Sequence, residues 1–243
     1  MKERIDILLV QRGLCATRSR AQARIMAGQV IVDDHRIDKA GTKVSVESEI
    51  RLKGKDLAYV SRGGLKLEGA LKAWPIELDG LIALDVGAST GGFTDLLLQG
   101  GAKQVYAVDV GHNQLAWKLR QDPRVVNLER THIAKLEVGS LAPAPSLAVI
   151  DVSFISLRRV LPATLPHLEP GGRIYALIKP QFEVGRDRIG KGGIVRDAGA
   201  RDDAVAGVLA AAEELGLELL GSIESPITGT EGNIEYLAGW QSR

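Results

Sequence analysis

Residues 84–95 read LDVGASTGGFTD, and the fold turns on them. The run 81–86, LIALDV, is apolar except for Asp85, the pattern of a strand covered on both faces. Gly87, Gly91 and Gly92 then crowd a turn, and 93–100 is spaced as a helix. Strand, glycine-rich turn and helix in that order let the backbone approach a ligand at the strand's carboxyl end. The turn spells Gly-x-Ser-x-Gly-Gly-Phe rather than the Gly-x-Gly-x-x-Gly of dinucleotide sites. Alone it suits a dinucleotide, a sulfonium cofactor or a purely structural turn.

Outward from this turn, strand-like runs recur at 104–109, 125–128, 147–151, 173–178, 217–225 and 234–240. Helical stretches fall at 112–120, 156–168 and 200–215. The alternation predicts an α/β fold of Rossmann-like type, a mainly parallel sheet with helices on both faces. Only PITGTEG separates the last two strands, so they are expected as an antiparallel edge pair. Two details favour S-adenosylmethionine (SAM) as the ligand. One is the turn itself, with Gly87, Ser89, Gly91, Gly92 and Phe93 as its cofactor-binding residues. The other is Asp85, placed to engage a methionine ammonium directly or through water. Asp109, ending the next strand about twenty residues on, is placed to accept ribose hydroxyls; a helix N-cap beside Gly111 is the alternative.

Composition sets bounds. The chain has 243 residues, 45% hydrophobic and 25% charged, the balance of a folded protein with a substantial core. One cysteine, Cys15, excludes an internal disulfide, and no Cys/His spacing suggests a metal. No apolar run reaches membrane-spanning length, and the opening MKERIDILLVQRG is too charged for a signal peptide. A cytoplasmic protein with no membrane partner is expected, and, with no strong association signal, a monomer. Net charge is +1, yet residues 1–60 hold twelve Lys/Arg against eight Asp/Glu, an excess that points to a polyanion.

In that basic segment RIDILLVQRG and TRSRAQARIMAGQ are helix-spaced, with Thr17 or Ser19 as N-cap of the second and Gly28 as its end. The runs VIV, RID and EIRLK form a small sheet. Ser19-Arg20-Ala21-Gln22-Ala23, Ile25, Gly28, Val30, Val32 and 50–53 resemble the S4 RNA-binding domain. The resemblance divides the chain into 1–55, a stiff linker at 56–60 and a body at 61–243. Arg20 and Arg24, four apart, are expected on one face. With Arg4, Arg18, His35, Arg36 and Lys39, they are the candidates for RNA phosphates. From the body, Arg62 and the loop residues Arg186, Arg188 and Lys191 join them; an inert surface loop is the alternative for the last three.

Four further polar residues interrupt apolar runs. Asp151 closes SLAVID, Lys179 closes RIYALI, and Glu235 opens EYLAGW. Lys66 stands in SRGGLKLEGAL, above Gly69, Ala70 and Ala73 at helical spacing. A lysine there ordinarily snorkels to water. Charged residues ending three different runs belong together, because ligands gather at the carboxyl edge of such sheets. The small stripe is read as leaving room for a substrate ribose and for Lys179.

Lys66, Asp151, Lys179 and Glu235 resemble the K-D-K-E tetrad of RrmJ/FtsJ-type ribose 2′-O-methyltransferases. The combination with an S4 domain resembles the TlyA family, often labelled haemolysins. Matching stretches are YVSRGGLKLEGAL, LDVGASTGGFTD, DVSFISL, IKPQFEVGRDRIGKGGIVRD and SPITGTEGNIEYL. The resemblance implies SAM-dependent methylation of cytidine riboses in ribosomal RNA, with ribosomal RNA or subunits as partner. A neutral lysine can take the hydroxyl proton, and burial and a second ammonium both favour neutral amines. Lys179 is therefore expected as general base and Lys66 as the second positive charge that steadies the alkoxide. Asp151 positions the two lysines, and Glu235 orients the lysines or the ribose. A membrane-active cytolysin and an RNA-binding assembly factor without catalysis are the competing expectations. The former lacks a basic, aromatic amphipathic segment.

Overall fold

The computed structural model describes residues 1–15, 17–53, 58–229 and 232–243. The chain divides into two compact units, Met1–Leu57 and Ala58–Arg243. Of the linker expected at 56–60, residues 56 and 57 lie outside the described residues. Val60 belongs to the second unit, its N–H donating to buried Asp95 at 2.7 Å.

The first unit begins with strand β1 (Lys2–Arg4) and helix α1 (Ile5–Gln11), followed by α2 (Arg18–Met26). Four short strands complete it: β2 (Val30–Val32), β3 (His35–Ile37), β4 (Lys43–Ser45) and β5 (Ile50–Leu52). β1 pairs with β4, and β2 lies between β3 and β5. Ile5, Leu8 and Leu9 of α1 meet Ala21 and Ile25 of α2 in one core with Val30 and Val32. Thr17 caps α2, accepting from the Arg20 N–H at 3.3 Å.

The second unit opens with α3 (Gly63–Ala73). It continues through β6 (Ile82–Val86), α4 (Gly92–Gln99), β7 (Gln104–Asp109), α5 (Trp117–Arg120), β8 (Val125–Glu129) and β9 (Leu147–Ile150). α6 (Leu157–Thr164), β10 (Arg173–Ile178), α7 (Pro180–Glu183), α8 (Ala198–Glu214), β11 (Glu218–Glu224) and β12 (Tyr236–Gln241) follow. The strands form one sheet in the order β11-β12-β10-β9-β6-β7-β8. Pairing is parallel from β10 to β8, while β12 is antiparallel to both β10 and β11, giving the expected edge pair. Alternation splits the core: Leu84, Val86, Ile150 and Ile178 face α6 and α8, whereas Ala83, Val149 and Leu177 face α3 and α4.

Two expected helices are shorter than read. Only Trp117–Arg120 of 112–120 is helical, because the Glu129 carboxylate gathers the N–H groups of Asn113, Gln114 and Leu115 into a loop. The helix expected over 156–168 ends at Thr164 and continues as a 3₁₀ turn, Leu165–His167. No helix among the described residues is long and apolar enough to cross a membrane.

Candidate active site

The chain leaves β6 toward β7 on one side, and β9 and β10 lie on the other. Between β6 and β9 the strand order reverses, and such a reversal opens a crevice at the carboxyl ends of the strands. Gly87 stands in this crevice with φ +86°. A Cβ there would come within 2.4 Å of the Asp151 carbonyl oxygen, so only glycine fits. Asp85, one residue before the strand ends, alternates onto the α4 face and is 1% exposed. Its Oδ2 accepts from the Thr94 backbone N–H at 2.9 Å and the Thr94 hydroxyl at 2.6 Å. Its Oδ1 is buried without a hydrogen-bond partner. Burial, the nearby Asp151 and Asp109 carboxylates adding to it, pushes the Asp85 carboxyl up to about 7 despite the Thr94 bonds.

The wall beside this turn carries all four expected tetrad residues, around a cleft of about 680 Å³. Lys66 Nζ lies 2.7 Å from Glu235 Oε2 and 3.7 Å from Asp151 Oδ2. Lys179 Nζ lies 2.6 Å from Asp151 Oδ1. Asp151 thus stands between the two lysine nitrogens, and Glu235, its side chain 3% exposed, holds Lys66 from behind. Lys66 does not snorkel. The small stripe beneath it is not open room: a Cβ on Gly69 would meet Pro226 at 2.9 Å and Leu237 at 3.4 Å. Glycine there lets the chain before β12 close on α3, and that approach brings Glu235 to Lys66.

Sequence reasoning passed over three residues. Ser153 Oγ accepts from Lys179 Nζ at 3.0 Å. Buried Glu183 accepts from the Ser156 hydroxyl at 2.5 Å and the Leu157 N–H at 2.7 Å, joining α7 to the start of α6. Burial raises its carboxyl, against these bonds and Arg158. Phe154 has φ +65°, unusual for a bulky residue, and is 91% exposed against Phe182, ring centres 5.2 Å apart. The polar letters in DVSFIS and PQFE carried no periodicity that would have marked them.

A second cavity of about 370 Å³ shares Gly87, Ser89, Asp151, Ser153 and Phe154 with the first. Asp109 and exposed Val110 line it. Asp109 caps no helix: its carboxylate accepts from Ser89 N–H at 2.8 Å and Gly111 N–H at 2.6 Å. A carboxylate has about four acceptor positions, so two remain for hydroxyls. Gly91 and Gly92 turn the chain into α4, and Gly92 and Phe93, the latter packed in the core, line the first cleft.

The basic residues divide. Arg20, His35, Arg36 and Lys39 are exposed. Arg24 is buried at 9%, which corrects the expectation that it shares an outer face with Arg20. It lies three beyond Ala21 and one before Ile25, within the apolar stripe of α2. Arg4 binds fully buried Asp6 through two nitrogens at 3.0 Å, and Arg18 binds it through Nε at 2.8 Å. The bonds from Arg4, aided by Gln22 and Arg18, hold the Asp6 carboxyl far below its ordinary range against burial. Arg188 is exposed and pairs on the surface with Asp203 at 2.7 Å and Asp197 at 3.6 Å. Arg186 and Lys191 are exposed, and Arg62 lies at the cleft with a 3.4 Å bond to the Thr228 carbonyl.

The profile of the FtsJ-like methyltransferase family matches residues 59–242, and that of the S4 domain matches residues 3–50. A *Bacillus subtilis* (strain 168) protein named as an rRNA methyltransferase, YqxC, is 52% identical over 97% of this chain and 84% of its own. A *Mycobacterium tuberculosis* protein named 16S/23S rRNA (cytidine-2′-O)-methyltransferase TlyA is 45% identical over 97% of this chain and 88% of its own. A solved *Streptococcus thermophilus* structure carrying a hemolysin name superposes with a TM-score of 0.78 at 49% identity. It covers 99% of this chain and 88% of that one.

Proposed function

The chain belongs to the FtsJ-like methyltransferase family, with an S4 domain ahead of that unit, and from this premise we propose that it methylates ribose 2′-hydroxyls of ribosomal RNA, using SAM. The names of its relatives support the substrate class, and cytidine is the nucleoside named for the *Mycobacterium tuberculosis* relative. The observation that carries the reading is the Lys66–Asp151–Lys179 chain of contacts, closed by Glu235, on the wall of one cleft beside the glycine-rich turn.

The residues present fit the cofactor. Asp85 Oδ1 is a buried acceptor in want of a donor, which a methionine ammonium supplies. The open acceptor positions of Asp109 suit ribose hydroxyls, and Val110 offers an apolar face to a purine. When bound, SAM supplies an electrophilic methyl group whose bonding electrons to sulfur stay with sulfur. Lys179 removes the 2′-hydroxyl proton, and Lys66 stabilises the negative charge that develops on the oxygen. Asp151 keeps both lysine side chains in place, and Glu235 keeps Lys66 from turning to solvent. General-base assistance of this kind is worth roughly 10²–10⁴ in rate. Phe154, exposed and braced by Phe182, gives an unpaired base a surface to stack on.

The test is tritiated SAM with separated ribosomal subunits, followed by mapping of alkali-resistant ribose positions. Lys179→Ala should abolish transfer and leave SAM binding nearly intact. Full methylation by that variant removes Lys179 from the role of base, and a methyl group found on a base overturns the 2′-hydroxyl reading.

A further inference from the structure

Ser153 lies outside the four charged residues yet touches Lys179. Its hydroxyl accepts from Lys179 Nζ at 3.0 Å, and Asp151 Oδ1 lies 2.6 Å from the same nitrogen. Both contacts come from the chain leaving β9, which Asp151 enters and Ser153 follows by two residues. An amine nitrogen has four tetrahedral directions, one of them its bond to Cε. Ser153 takes one of the other three as a hydrogen bond, while the Asp151 carboxylate lies beside the nitrogen as an ion partner without hydrogen-bond alignment. Lys179 and Ser153 both line the cleft, so a direction not taken by Ser153 is available to a group bound there.

We infer that Ser153 is a positioning residue that, with Asp151, aims the lone pair of neutral Lys179 at the substrate hydroxyl. The inference rests on Lys179 acting as base. In the step, the 2′-oxygen forms a bond to the methyl carbon while the carbon–sulfur bond breaks with its electron pair going to sulfur. The hydroxyl proton passes to Lys179, which becomes an ammonium. Without Ser153 the amine is held on one side only and can rotate its lone pair away. Proximity effects depend steeply on such alignment. The Ser153 segment is itself held: Glu183 bonds Ser156 and Leu157 three and four residues on, and Phe154 packs on Phe182. The groups facing Lys179 are therefore Asp151 and Ser153 from this segment and, across Asp151, Lys66 of α3 with Glu235 before β12.

Ser153 is exposed and supports no core packing, so Ser153→Ala is expected to fold. Single-turnover methylation of ribosomal RNA by Ser153→Ala should fall about 10- to 100-fold, the range of a hydrogen bond to a charged group. SAM affinity, RNA affinity and melting temperature should be unchanged, and Ser153→Thr, which keeps the hydroxyl, should recover most of the rate. A second readout needs no turnover: acylation of Lys179 across pH, read by mass spectrometry on the protein alone. Loss of an acceptor for the ammonium should make Lys179 reactive at lower pH in Ser153→Ala. An unchanged rate overturns the inference, as does a rate loss matched by weaker RNA binding or an unshifted labelling profile. If Lys179→Ala is inactive in the same assay, an unchanged Ser153→Ala rate removes Ser153 and leaves the base standing. Activity in Lys179→Ala removes both.

Discussion

The proposed seating of the SAM ammonium on Asp85 predicts a proton-linked binding event. Burial pushes its carboxyl up to about 7, so below that pH the free protein holds a proton there. An ammonium at Oδ1 requires the carboxylate, so binding must release that proton. The affinity should then rise about tenfold per pH unit from about 5 to about 7, close to 1.4 kcal/mol per unit, and flatten above. The unliganded fold shows the opposite slope. Its carboxyl is raised above the unfolded value of about 4, so the folded state holds a proton that the unfolded chain has released. The stability from this group is full below about 4 and declines as pH rises toward about 7. Calorimetric titration of SAM in two buffers of different ionisation heat measures both quantities. Near pH 6 roughly one proton should leave per SAM bound, and near pH 8 none from this group. Asp85→Asn keeps an acceptor for Thr94 but cannot ionise. Its SAM affinity should be weaker by about 10- to 100-fold at neutral pH and flat below it. A flat affinity in the unaltered protein, with no proton released near pH 6, refutes the reasoning. The carboxyl would then be ionised already, or the ammonium would bind elsewhere.

Lys66→Met should leave the Glu235 carboxylate buried and unpaired, which typically costs about 3–5 kcal/mol. For a unit of this size that is a melting-temperature drop of roughly 6–20 °C by calorimetry. Lys66→Met/Glu235→Gln should recover much of the stability and none of the activity. In the S4 unit, Arg20→Gln should lower the slope of log K against log salt for a ribosomal RNA fragment by about 0.7–0.9. Arg24→Gln should leave that slope alone and lower the unit's melting temperature, as filter binding and calorimetry together would show. Glu183→Ala, which frees Ser156 and Leu157, should reduce kcat about tenfold with SAM affinity intact, and Glu183→Gln should retain most of it, measured in steady state.

What could be read in advance was whatever a strand makes periodic. Asp151, Lys179 and Glu235 each break an apolar run at its end, and a parallel sheet sends such ends to one edge. Three of the four letters were therefore visible as strand ends, and Lys66, inside helix α3, joined them through the family resemblance. Arg24 failed for a reason the same logic contains. Spacing of four from Arg20 suggested a shared outer face, but spacing of three from Ala21 placed it in the buried stripe, and burial prevailed. Arg4 and Arg18 looked like free cations because nothing local tells that Asp6 is buried and demands them. The small residues below Lys66 show the limit most clearly. They were read as space for a ligand, whereas Gly69 is small because Pro226 and Leu237 press on it. The same letters serve vacancy and close packing, and only the partner from 157 residues further along the chain decides between them. Lys66 owes its place in the site to that packing. By letting the chain before β12 approach α3, Gly69 brings Glu235 to the ammonium, so a substitution there should strip Lys66 of its anchor without touching any charged residue.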